Sequence, residues 1–124
     1  RVTLMTEYLP DAQCVTTLQA ADLIVYPYQQ TQESSSAAVR TGLATGKPVA
    51  VTPLSIFDDV DDAVHRLPGT DPQALADGIR ALLDDPLACK AQSQRAAEWV
   101  ASRQWPVLSV RLMNLLDGLA NPLN

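Results

Sequence analysis

Asp22-Leu23-Ile24-Val25-Tyr26-Pro27 and Pro48-Val49-Ala50-Val51-Thr52-Pro53 are short apolar runs, each closed by a proline. Such runs suit strands covered on both faces. Between them Ser34 to Thr45 reads as a helix whose inward positions, Ala37, Ala38, Thr41, Gly42 and Thr45, are small enough to bring its axis close to a sheet, with Gly46 as its stop. Upstream, Val2 to Met5 is β-rich, Tyr8-Leu9-Pro10-Asp11 breaks that run, and Asp11 to Ala21 reads as a helix with Val15, Leu18 and Ala21 or Gln19 on one side. The order β-α-β-α-β with short connections predicts a parallel sheet flanked by helices, with right-handed crossovers.

Downstream the texture changes. Leu54 to Asp62 is a loop carrying four aspartates, Ala63 to Leu67 is a last short strand, and Pro68-Gly69 closes it. Three helices then open on a residue followed by proline: Asp71-Pro72, Asp85-Pro86 and Trp105-Pro106. The first has Leu75, Ile79, Leu82 and Leu83 on one stripe, and the last has Leu108, Leu112, Leu115 and Leu119, widened by Val107 and Met113. The chain of 124 residues is thus one α/β domain, with an alternating strand-helix part over 1–69 and helices over 70–124.

Composition excludes several classes of function. A net charge of −5 argues against a broad nucleic-acid surface, and the short apolar runs argue against export or membrane-spanning segments, which predicts a cytoplasmic protein. Two cysteines, Cys14 and Cys89, and one histidine, His65, are too few for a zinc site, so both thiols are expected free and partly buried. Nothing near His65 builds a nucleophilic triad around it, and its place in a strand predicts a structural role. The aspartates at 58, 59, 61 and 62 lack the glycine spacing of a calcium loop and read as solvated surface, not a metal site. Trp99, Trp105, Tyr26 and Tyr28 read as packing residues.

The stretch with most chemical content is Pro27-Tyr-Gln-Gln-Thr-Gln-Glu33-Ser34-Ser35-Ser36, between a buried strand and a helix start. In open α/β sheets ligands gather at the carboxyl ends of strands, where helix N-terminal N–H groups point at anions. Ser34, Ser35 and Ser36 offer hydroxyls and amides there, and Glu33 offers a carboxylate to ligand hydroxyls. Each also has a purely structural reading: Ser34 as the helix cap, and Glu33 as a charge favoured by the helix dipole.

Ala20-Ala-Asp-Leu-Ile-Val-Tyr-Pro27, then Glu33, then Gly42-Leu-Ala-Thr-Gly-Lys-Pro-Val-Ala-Val-Thr52 resembles the nucleotide-sugar-binding domain of group 1 glycosyltransferases, the retaining type with two Rossmann-like domains in the GT-B arrangement. Gly69-Thr-Asp-Pro-Gln-Ala-Leu-Ala-Asp-Gly-Ile-Arg-Ala-Leu-Leu-Asp-Asp-Pro86 resembles the helix after that domain's last strand, and Trp105 the aromatic opening its final helix, so the resemblance spans about residues 2 to 118. It implies a donor-binding domain that, in an intact enzyme, takes a sugar from a nucleotide diphosphate sugar and transfers it with retention. Glu33 matches the first of the family's paired glutamates, which lies near the donor sugar. The amides of Ser34, Ser35 and Ser36 would face sugar or phosphate.

The second glutamate falls on Thr41, a departure, since one hydroxyl does not replace a carboxylate that accepts two ribose hydroxyls. Ser34 and Ser36 stand where glycines are usual. The family needs no cofactor, the nucleotide sugar being its substrate. The acceptor, a glycan, lipid or protein, belongs to a preceding domain, and the intact enzyme works in the cytoplasm, including at the inner face of the membrane.

The family's sheet order sets Val2 to Met5 and Asp22 to Tyr26 on either side of two further strands, and the family's donor domain holds the pyrophosphate with basic residues upstream of this stretch. A sheet edge left open, or the final helix, would then pair with a second copy of the chain. The Thr41 departure supports a different reading, a noncatalytic interaction or regulatory module that kept the fold. A receiver-like domain fits poorly, because the acidic cluster follows the third strand and Lys47 precedes it.

Overall fold

A computed structural model describes residues 1–120. Three parallel strands, β1 (Ile24–Tyr26), β2 (Val49–Val51) and β3 (His65–Arg66), lie in that order, with Val25 opposite Ala50 and Ala50 opposite His65. Around them are α1 (Asp11–Gln19), α2 (Ala37–Ala44), a 3-10 helical segment over Ser55–Ala63, α3 (Pro72–Leu83), α4 (Pro86–Ala101) and α5 (Trp105–Ala120). The expected α/β class and parallel sheet are present, with strands shorter than the apolar runs suggest. The 3-10 segment is the crossover from β2 to β3, and it occupies what reads in the sequence as an acidic loop.

Alternation along the strands divides the core. On one face Ile24, Val49 and Val51 meet Val39 and Leu43 of α2, Ile56, Phe57 and Val60 of the 3-10 segment, and Ala96 of α4. On the other, Ala50 meets Leu67 and Leu82, with Leu23, Val25, Leu75 and Ile79 closing over them. All of β2 is buried, which explains its unbroken apolar sequence.

Several boundaries correct the sequence reading. Val2 to Met5 forms no strand; residues 1–10 carry no regular structure, and Val2 and Leu4 are almost fully exposed. A strand exists only when a neighbour satisfies its backbone, and among the described residues β1 pairs with β2 alone. Helix α2 begins three residues later than expected, and Ser36, not Ser34, caps it: the Ser36 hydroxyl accepts from the Val39 N–H at 3.4 Å. Its buried stripe is Val39, Gly42 and Leu43, while Ala37 and Ala38 are exposed and Thr41 and Thr45 half-buried.

Gly42 lies under Tyr26, where a Cβ would stand 2.7 Å from the Tyr26 hydroxyl, so the close approach expected of this helix rests on that glycine. Gly46, at φ 77°, turns the chain into β2 as expected of a helix stop. Asp71 and Asp85 cap α3 and α4 ahead of their prolines. In α3, Leu83 is exposed instead of joining the stripe, and Trp105 is exposed instead of packed.

Candidate functional site

The loop Pro27 to Ser36 leaves the carboxyl end of β1 and enters α2. Three contacts hold its base. The Tyr26 hydroxyl donates to the Ala38 carbonyl at 2.8 Å, the Tyr28 hydroxyl shares a hydrogen bond with the Ser36 hydroxyl at 3.1 Å, and the Gln29 side-chain amide donates to the Thr70 carbonyl at 3.1 Å. The last joins the loops that follow β1 and β3. Tyr28 also rests against Phe57, ring centres 5.2 Å apart, so the loop is tied to the core through an aromatic contact. Burial, with Tyr28 and Cys14 nearby, pushes the Tyr26 phenol above its ordinary range, which keeps it a donor to the helix.

Above this base the loop is open. Glu33, Ser34 and Ser35 are exposed, and among the described residues the N–H groups of Ser34 and Ser35 donate to no protein acceptor. The Glu33 N–H donates to the Thr31 hydroxyl at 3.2 Å, which fixes the backbone while leaving the carboxylate in solvent. The structure therefore brings Glu33, Ser34 and Ser35 together at the mouth of α2, over the carboxyl end of a parallel sheet. It does not bring Ser36 to that mouth, because Ser36 is buried and its hydroxyl serves as cap and as partner of Tyr28. Thr41 is farther off, half-buried in the body of α2 and about 7 Å along the axis from Ser36 at the usual rise per residue.

The positive charge near this mouth is already committed. Arg40 donates to the Ser36 carbonyl at 2.7 Å, pairs with Asp59 and lies 6.0 Å from the Trp99 ring. Arg66 donates to the Leu54 and Phe57 carbonyls and pairs with Asp58 at 3.2 Å. Asp62 meets Arg95. The aspartate cluster read as solvated surface thus also fastens the 3-10 segment to α2, β3 and α4. No group of three potential metal-binding side chains converges among the described residues.

Two residues escape the sequence reading. Thr52, directly after β2, is fully buried with a hydroxyl that has no partner among the described residues, signalled in the sequence only as the polar end of an apolar run. Gln29 joins Tyr28, a packing residue as expected, in the loop's base, and no spacing rule marks it. Cys14 and Cys89 are free and half-buried as expected; burial and then the Asp85 carboxylate push the Cys89 thiol up, away from reactivity. His65 sits half-buried in β3. Among the described residues no helix is long and apolar enough to cross a membrane. The chain matches no family model and no curated protein.

Proposed function

We propose that this chain is the donor-binding part of a retaining glycosyltransferase, its small parallel sheet belonging to a Rossmann-like domain that recognises a nucleotide diphosphate sugar. The observation that carries the reading is the exposed Glu33 carboxylate beside the unbonded amides of Ser34 and Ser35, at the carboxyl end of β1. In this reading Glu33 accepts hydrogen bonds from sugar hydroxyls, while the amides and the positive end of α2 face the phosphate or the sugar oxygens. The sequence resemblance in order and spacing supports the same assignment.

A magnitude sets the expected strength. Hydrogen bonds to charged groups contribute about 1.5–3 kcal/mol each, and association first costs at least roughly 4 kcal/mol. With Arg40 and Arg66 held by aspartates, a few amides and one carboxylate leave weak binding. Calorimetric titration of the chain with a panel of nucleotide diphosphate sugars should give affinities near millimolar, about −4 kcal/mol, with no transfer. Glu33→Gln should weaken the sugar-bearing ligands and leave inorganic pyrophosphate unchanged. Equal loss for both, or no binding to any donor, contradicts the assignment.

Thr41 in place of an acceptor carboxylate favours a second reading, an interaction module without chemistry. That module would show no discrimination among donors.

A further inference from the structure

We infer that the buried Thr52 hydroxyl is a ligand-binding group, covered by a latch between Gln29 and Thr70 and reached by a sugar hydroxyl when that latch opens. The class of ligand rests on the donor-site reading of the neighbouring rim. The sheet order is β1-β2-β3, with Gln29 on the loop after β1 and Thr70 on the loop after β3. The hydrogen bond from the Gln29 carboxamide to the Thr70 carbonyl, at 3.1 Å, therefore crosses the carboxyl end of β2, where Thr52 is the first residue.

The backbone of Thr52 is fully used. Its N–H donates to the Tyr26 carbonyl at 3.3 Å, and its carbonyl accepts from the Leu54 N–H at 2.8 Å. Two residues on from Ala50, its side chain shares Ala50's face, which Leu67 and α3 cover and toward which Thr70 leads. That side chain is fully buried, yet its hydroxyl has no hydrogen-bond partner among the described residues. Valine has nearly the same shape and would leave nothing unbonded, so the hydroxyl costs stability where the fold needs only the shape. The latch, a single solvent-exposed bond between neutral groups, is weak enough to open. Once open, the Thr52 hydroxyl, the Gln29 carboxamide and the Thr70 carbonyl offer donors and acceptors without charge, which suits a group that both donates and accepts, as a sugar hydroxyl does. Gln29 and Glu33 lie on one loop, so the latch adjoins the rim.

Calorimetry and amide spectra of the chain with a nucleotide diphosphate sugar, the matching nucleoside diphosphate and the free monosaccharide test this. Thr52→Val should raise the folding equilibrium constant about fivefold or more by removing the unbonded hydroxyl. The same variant should weaken the nucleotide diphosphate sugar about two- to tenfold, the worth of one neutral hydrogen bond, and leave the nucleoside diphosphate unchanged. Thr52→Ser should restore the affinity. The Gln29 side-chain amide should shift in step with occupancy as its bond to Thr70 is exchanged for one to the ligand. Wild-type affinity in Thr52→Val, an equal loss for the nucleoside diphosphate, a Thr52→Val chain less stable than wild type, or an unmoved Gln29 amide at saturation overturns the inference and leaves the rim's assignment standing. Shifts at Gln29 and Thr52 with the free monosaccharide, while the Ser34 and Ser35 amides ignore both nucleotide ligands, sustain it and remove that assignment. No response to any of the three ligands overturns both.

Discussion

Gln92 shows how a single polar side chain completes this sheet. Its carbonyl oxygen accepts from the Val49 N–H at 3.0 Å, and its amide donates to the Ala63 carbonyl, so it bridges β2 to the residue where the 3-10 segment ends. Strand β3 is too short to reach those groups, and Gln92, fully buried on α4, supplies the missing partners. Gln92→Ala should therefore cost about 2–6 kcal/mol in urea denaturation, because two buried backbone groups lose their partners at about 1–3 kcal/mol each. Tyr26 makes a second residue-scale test. Its folded pKa is raised above the unfolded value of about 10, so the stability tied to its proton is present below that pH and is lost as pH rises through the folded value. Tyr26→Phe should flatten the fall in stability above pH ~10. Gly42→Ala should destabilise the chain by about 1–3 kcal/mol through its clash with the Tyr26 hydroxyl and ring, and less than additively in a Tyr26→Phe background. Neither Gln92 nor the Tyr26–Gly42 contact was legible in the sequence, because each depends on which element crosses which, and spacing along one helix does not report that.

At the scale of elements, capping and punctuation were legible and the register of α2 was not. Asp71-Pro72 and Asp85-Pro86 place an acceptor directly before a proline that needs no donor, and both helices start there. In Ser34-Ser35-Ser36 three equivalent caps follow one another, and only burial chooses among them. Ser36 wins because Tyr28 and Val39 both reach its hydroxyl. Ser36→Ala should cost about 1 kcal/mol or more, as caps do, while Ser34→Ala should stay within about 0.5 kcal/mol, as exposed surface changes do. Thermal melts of the two variants decide it; equal losses would mean that the cap is shared. The strand expected over Val2 to Met5 failed for a related reason. Its composition is β-rich and its alternation weak, and pairing requires an edge, which a local pattern does not identify.

For the whole molecule, the parallel sheet and its flanking helices followed from the two apolar runs, and the position of the candidate site followed from the sheet. Strand ends in such a sheet expose loops on one side, and the loops after β1 and β3 do meet there, through Gln29 and Thr70. The same architecture explains why Glu33, Ser34 and Ser35 stay open. The loop's base spends Tyr28, Gln29 and Ser36 on structure, and its rim is left to solvent. Thr41, matched to the family's second glutamate by its spacing from Glu33, lies half-buried in the body of α2. The ligand proposed for this rim is a nucleotide diphosphate sugar. Backbone amide shifts of the chain, followed during titration with such donors, test it most directly. Saturable shifts centred on Ser34 and Ser35, diminished in Glu33→Gln, are expected. Saturable shifts confined to another surface, or none at all, would contradict it.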